Sequence, residues 1–232
     1  MKKVWLILLV IAALTLIASC TKDTSCSTLK GPSKDDCYFE KAVSEISLDG
    51  CDAIESKVLK DSCVAEIGIK NSDLSICNSI EGKSKDYCIS KIALGKKDLE
   101  LCKSTDTEYW SDVCYSSIAV STNKTSPCAN VSNTMEKDKC YDTISRVTLD
   151  WQGCDLIRND TVHDLCIRKV AITLNQESLC EETRSVVVGD ICYQKIAQAK
   201  LNISICEGAS YREIRAACQA AVRSLLNKTN ST

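Results

Sequence analysis

Apolar and small positions recur along this chain on a clock of 25 or 26 residues, from about Lys22 to the C-terminus. Ile67, Ile92, Ile118, Ile144, Val170, Ile196 and Val222 each stand four residues after a cysteine. A small residue usually follows, as in Gly68, Ala93, Ala119, Ser145, Ala171 and Ala197; the first unit departs, with Lys41 before Ala42. Cysteine followed by isoleucine one turn later is a stripe of an amphipathic helix. The small residue beside it admits a neighbouring helix at close range. A second apolar position lies three residues after the other cysteine of each unit: Leu29, Ile54, Ile80, Val131 and Ile157, with Thr105, Thr183 and Ala209 as weaker members. Four residues before that cysteine stand Ser47, Asp73, Asp98, Asp150 and Asn202, all good N-caps.

Each unit therefore reads as a capped short helix of about two turns, a tight turn, and a longer helix. Gly82 and Gly95 mark the turns of one unit. Nowhere does strict alternation predict strands. A period in this range marks a repeat array. The expected fold is all-α, a right-handed solenoid of eight helical hairpins. The units span about 22–46, 47–72, 73–97, 98–123, 124–149, 150–175, 176–201 and 202–226, with a tail at 227–232.

The cysteines keep the same time. Sixteen of the 17 fall at 26, 37, 51, 63, 77, 88, 102, 114, 128, 140, 154, 166, 180, 192, 206 and 218. Two pairings suit antiparallel neighbours. Bridges between units, such as Cys37–Cys51 and Cys63–Cys77, strand Cys26 and Cys218. Bridges within units leave nothing over and are the expectation: Cys26–Cys37, Cys51–Cys63, Cys77–Cys88, Cys102–Cys114, Cys128–Cys140, Cys154–Cys166, Cys180–Cys192 and Cys206–Cys218. A 26-residue hairpin buries little apolar surface, and closing a loop of this size contributes roughly 3 kcal/mol in the chain-entropy model. Zinc sites want closer pairs and usually histidine, and redox dithiols want Cys-x-x-Cys; neither occurs. No metal or other cofactor is expected.

An aspartate stands two residues before the second cysteine of seven units: Asp35, Asp61, Asp86, Asp112, Asp138, Asp164 and Asp190, with Ala216 in the eighth. One carboxylate per unit fits no EF-hand. Each is expected to cap a helix or to bond across units. The single histidine, His163, precedes Asp164, about 100° from it around a helix, which disfavours a base-and-orienter pair; a solvated surface residue is expected. Trp110, Trp151, Tyr109 and Tyr211 fall in or near turns and are expected to pack between units, with ligand anchors as the alternative. Tyr38, Tyr115, Tyr141 and Tyr193 follow the second cysteine and are expected to form an exposed or half-buried contact row.

Composition narrows the function classes. A net charge of −2, with 5% aromatic residues, gives no footprint for nucleic acid. Lys2 and Lys3 precede an apolar run beginning at Val4, the pattern of an export signal at residues 1–19. The run ends in Ile17-Ala18-Ser19-Cys20, which resembles the lipobox of prokaryotic lipoproteins and implies a lipidated Cys20. Loss of both lysines makes the mature chain more acidic, so acyl chains rather than surface charge would hold it to a membrane. Asn123, Asn130, Asn159, Asn202, Asn227 and Asn230 begin Asn-x-Ser/Thr sequons. With the lipobox these lean toward an archaeal cell surface, although Ser and Thr are abundant enough to produce some sequons by chance.

The run Asp112 to Ala119, close to Asp-x-Cys-Tyr-x-x-Ile-Ala, resembles the cysteine-stapled hairpin repeats of prokaryotic surface lipoproteins. The resemblance covers nearly the whole mature chain and implies no activity. Tetratricopeptide-like cysteine-rich solenoids are similar in shape only, since the period here is shorter and their Trp, Leu-Gly and Tyr signature is missing. Location is expected to be the outer face of the cell membrane, or the periplasm or outer membrane of a diderm bacterium. The expected function is a membrane-tethered, non-enzymatic scaffold for another surface protein or an envelope polymer, with no nucleic acid or metal partner. A passive spacer or coat component is one alternative. The other is a hydrolase or thiol-redox protein with a site assembled across units.

Overall fold

The computed structural model describes residues 25–229, and among them the chain is all-helical with no strand. The leader at 1–19, Cys20 and Asn230 lie outside the described residues. Eight long helices recur: α1 (Pro32–Glu45), α2 (Lys57–Asn71), α3 (Gly82–Lys96), α4 (Glu108–Thr122), α5 (Thr134–Thr148), α6 (Asp160–Leu174), α7 (Val186–Lys200) and α8 (Arg212–Thr229). Before each lies a short helical segment of three to six residues that carries the first cysteine of the unit, from Cys26–Thr28 to Ile203–Gly208. Most of these segments make about one turn rather than the expected two; Glu177–Glu182 and Ile203–Gly208, six residues of 3₁₀ helix each, make two. Gly95 sits in the last turn of α3 rather than between helices.

Each disulfide joins the short segment to the long helix of the same unit, with Cα atoms 5.6–5.7 Å apart in all eight. Such a framework belongs to an oxidising, extracytoplasmic compartment. No helix among the described residues is long and apolar enough to cross a membrane.

The link from one unit to the next follows one local rule. Six of the seven long helices before α8 run 15 residues and α1 runs 14; all seven end in a left-handed residue: Ile46, Ser72, Lys97, Asn123, Leu149, Asn175 and Leu201, at φ 49–57°. The next N–H folds back to the carbonyl of the small residue of the stripe, as in Asp73 to Gly68 (3.0 Å) and Asp98 to Ala93 (2.9 Å). That donor residue is frequently also the N-cap of the following short segment. Asp73, Asp98, Asp150 and Asn202 accept from Ser75, Glu100, Gln152 and Ser204 N–H respectively, whereas Ser47 caps without a side-chain bond.

The small residue has a second task. A Cβ built on Gly68 would meet Cys88 Sγ at 2.9 Å and Cys77 Sγ at 3.3 Å, so this position lies against the disulfide of the next unit. The isoleucine before it is buried with the small residue of the unit before, as Ile118 is with Ala93 and Ile67 with Ala42. Every substantial helix contact among the described residues lies within a unit or between consecutive units. The core is thus a thin seam rich in sulfur, isoleucine and alanine, divided into four clusters along the described units.

The first and last described units depart from the rule. Lys41 replaces the backward-facing isoleucine in α1, and Arg223 replaces the forward-facing small residue in α8; both are exposed. Ala216, where other units carry aspartate, is exposed as well. Lys41 and Arg223 are charged replacements of the kind that suit a solvated outer face in a repeat array.

Candidate functional site

The aspartates brace the joints between units. Asp35 accepts from Glu55 and Ser56 N–H at 3.0 and 2.9 Å, twenty and twenty-one residues ahead. Asp112 does the same with Ser132 and Asn133 (2.6 and 2.9 Å), Asp138 with Arg158 and Asn159 (3.0 and 2.9 Å), and Asp190 with Ser210 and Tyr211 (both 2.7 Å). Asp164 takes Arg184 and Ser185, and Asp86 takes the Asp106 N–H and the Thr107 hydroxyl. Each carboxylate therefore fixes the loop entering the next long helix, at the positive end of that helix's dipole. Those N–H bonds hold the Asp35 carboxyl below the usual carboxylate range.

Asp61 is the exception. Its recorded partner is Lys57 on its own helix, at 3.0 Å. The loop ahead of it is one residue shorter, Cys77 to Cys88 spanning 11, and enters α3 through Gly82 at φ 64°.

Two expectations about ring residues are overturned. His163 is 2% exposed, not solvated. Its Nδ1 lies 3.0 Å from Asp164 Oδ1 and its Nε2 3.4 Å from Asp155 Oδ1. The 100° between adjacent helix positions separates Cβ directions but not tips, because Asp164 turns beneath the Arg184 loop and the imidazole lies against it. With a carboxylate at each ring nitrogen, His163 faces no nucleophile. Its place in the repeat is that of Lys60, which pairs with Asp52 at 2.7 Å.

In the tyrosine row only Tyr38 is half-buried as expected, and the other three are buried. Tyr115, Tyr141 and Tyr193 are 4%, 6% and 8% exposed. They stand next to a buried disulfide, and Gly208 leaves room for the Tyr193 ring. Burial, aided by a hydrogen bond to Glu181, pushes the Tyr193 hydroxyl up to about 12. Trp151 does pack partly buried against the core.

The accessible surface chemistry gathers instead at the N-terminal ends of the long helices. Val58, Tyr109, Met135 and Val187, all five residues before the second cysteine of their units, are 76%, 68%, 62% and 46% exposed. The missed signal was this register, which is invisible to a search for core stripes. Tyr109 meets Trp110 edge-on at 5.5 Å, and Trp110 meets Tyr87 edge-on at 5.9 Å. Tyr87 in turn hydrogen-bonds Glu66 and lies under the Lys91 ammonium, 5.4 Å from the ring centre; burial first, then Glu66, raises its pKa.

Two grooves flank this aromatic cluster. One, of about 360 Å³, runs between α2 and α3 and reaches Phe39, Tyr87 and Trp110. The other, of about 570 Å³, lies between α4 and the start of α5, with Glu108, Tyr109, Ser117, Asn133 and Glu136 in its walls and Asp112 at its floor. That volume lies within the ~300–1,000 Å³ of ligand clefts.

The sequon asparagines that are described, Asn123, Asn130, Asn159, Asn202 and Asn227, are all exposed. Asn159 and Asn202 also cap helical segments through their side-chain oxygens. Among the described residues no three His, Cys, Asp or Glu side chains converge as a metal site. Compared with known proteins, the chain matches no family model, no curated protein and no solved structure.

Proposed function

We propose that this protein is a lipid-anchored, non-catalytic surface scaffold, a right-handed solenoid that holds a surface protein or an envelope polymer along one lateral face. The observation that carries the reading is the exposed register of Val58, Tyr109 and Met135 near two grooves; other exposed apolar side chains, such as Val120, Val147 and Leu156, line neither groove. Lys41 and Arg223 put charge on the outer faces of the first and last described units, which favours a partner on the flank. Cys20 supplies the membrane attachment.

The test is site-directed photo-crosslinking on intact cells, with the reactive residue at position 109 and a control at exposed Leu225 on α8. A discrete adduct from position 109 and none from 225 is expected. Equal labelling at both, or none at either, leaves a spacer without a specific ligand. Cys20→Ala is expected to release the protein from the membrane fraction, and full retention overturns the lipid anchor.

A further inference from the structure

Of four grooves between units among the described residues, three hold a cation of the chain itself. Lys83 lines the α2–α3 groove, and Lys124 lines the groove between the end of α4 and α5. Arg184 lines the α6–α7 groove, where it pairs with Asp160 at 2.7 Å and also donates to the Ile157 and Arg158 carbonyls. The α4–α5 groove has the largest volume of the four and carries no Lys or Arg in its walls.

The repeat register shows what has changed. Lys83 and Lys91 of α3 correspond to Tyr109 and Ser117 of α4. In α3 the ammonium of Lys91 sits over an aromatic ring, with the carboxylate of Glu66 at the ring's hydroxyl. One unit later Val113 stands in the place of Tyr87 and Tyr109 in the place of Lys83, so the α4–α5 groove brings a ring and two glutamates together with no lysine in its walls. Tyr109 is 68% exposed, and Glu108 has no hydrogen bond or ion pair among the described residues. Glu136 pairs with Lys139 at 2.8 Å, an exposed pair whose lysine lies outside the groove wall. Asp112 is already satisfied by two backbone N–H groups and takes no further part.

Resting on the scaffold reading above, we infer that this groove receives an arginine-bearing segment of the partner protein. The guanidinium lies on the Tyr109 ring between Glu108 and Glu136. A planar guanidinium suits both a ring face and a carboxylate pair better than a compact ammonium does. Ser116, Ser117 and Asn133 offer hydrogen bonds to the backbone of such a segment. Anionic polymers and phosphate headgroups are repelled by the same carboxylates.

The test is calorimetric titration of the oxidised full-length protein in detergent with an end-capped Gly-Arg-Gly-Arg-Gly peptide. The corresponding glutamate peptide is the control. Saturable binding that weakens with added salt is expected for the arginine peptide alone. Tyr109→Leu should weaken it about fivefold and Tyr109→Phe should preserve it, because the ring face makes the contact. Glu108→Gln combined with Glu136→Gln should weaken it further at unchanged melting temperature. No binding up to about 1 mM, a threshold equivalent to only ~4 kcal/mol, overturns the inference. So does equal binding of the glutamate peptide, or indifference to these substitutions. If position 109 still crosslinks on cells while the arginine peptide fails, the partner's chemistry is wrong and the scaffold stands. If both fail, both readings fall.

Discussion

Ser145 and Gly153 form a matched pair that can be taken apart. Ser145 occupies the forward-facing small position that is Ala42, Ala93, Ala119, Ala171 and Ala197 elsewhere. It is 0% exposed, and its hydroxyl has no hydrogen-bond partner. Gly153, in the next short segment, faces it: an added Cβ there would collide with Ser145 Oγ, while standing 3.4 Å from Ser145 Cβ and 3.1 Å from Thr125 Cγ2. Ser145→Ala removes a buried unpaired hydroxyl and should stabilise by about 1–3 kcal/mol. Gly153→Ala alone forces overpacking worth about 1–3 kcal/mol, offset in part by the ~1 kcal/mol helix advantage of alanine over glycine. Placed in Ser145→Ala, the same alanine meets a methyl group at contact distance and only the Thr125 methyl is tight. The two changes should therefore couple favourably, by about 1–2 kcal/mol, within the range seen for touching residues. Denaturant unfolding of the oxidised protein, followed by circular dichroism, gives all four corners of the cycle. Additive effects, or a Ser145→Ala variant less stable than the parent, would refute the reasoning.

Three further outcomes follow from the joints. Asp112→Ala should cost about 1.5–3 kcal/mol, since two N–H groups lose a charged acceptor, whereas Asp61→Ala, losing only a helix-surface ion pair, should cost below ~1 kcal/mol; equal losses in thermal melts would discredit the brace. Ile46→Gly should raise the melting temperature, because a β-branched residue at φ 56° relaxes there and its side chain is 47% exposed, while Leu149→Gly should not, because Leu149 packs on the core. Asp35 has a carboxyl pKa depressed by its N–H partners, so its contribution is present above the ordinary carboxylate range and lost as pH falls through the depressed folded value; Asp35→Asn should flatten acid unfolding near that joint, and an unchanged pH profile counts against it.

The period, the cysteine parity and the small residues were legible because each is a local pattern with a covalent or steric cause. The aspartate register was legible as a position but not as a partner. A helix period says which way Asp112 points around its axis and nothing of a loop twenty residues on. Likewise Asp61 looked equivalent to its mates until the shortened loop before α3 denied it one. Ile46, Leu149 and Leu201 as helix terminators were illegible for a different reason: composition predicts glycine at left-handed positions, and the chain accepts the strain where the fold-back bond compensates it. For the candidate site, the sequence offered tyrosines beside cysteine, but proximity to a buried bridge is what hides them. For Tyr109 the sequence favours packing over a ligand anchor, whereas its register with Val58 and Met135 puts it at the surface.

The bridges close loops inside units and never across them, which sets how the molecule answers to pulling. Under tension between a membrane attachment and a held partner, the joints give way one by one while every sulfur-locked loop stays shut. Only the 14 residues from the second cysteine of one unit to the first of the next can pay out. At roughly 3.3–3.6 Å per residue the extended length of that stretch is about 50 Å, so each broken joint pays out that length less the distance it spans when folded. Load would be shed in short, even steps, and on release each closed loop would still be in place to template the return.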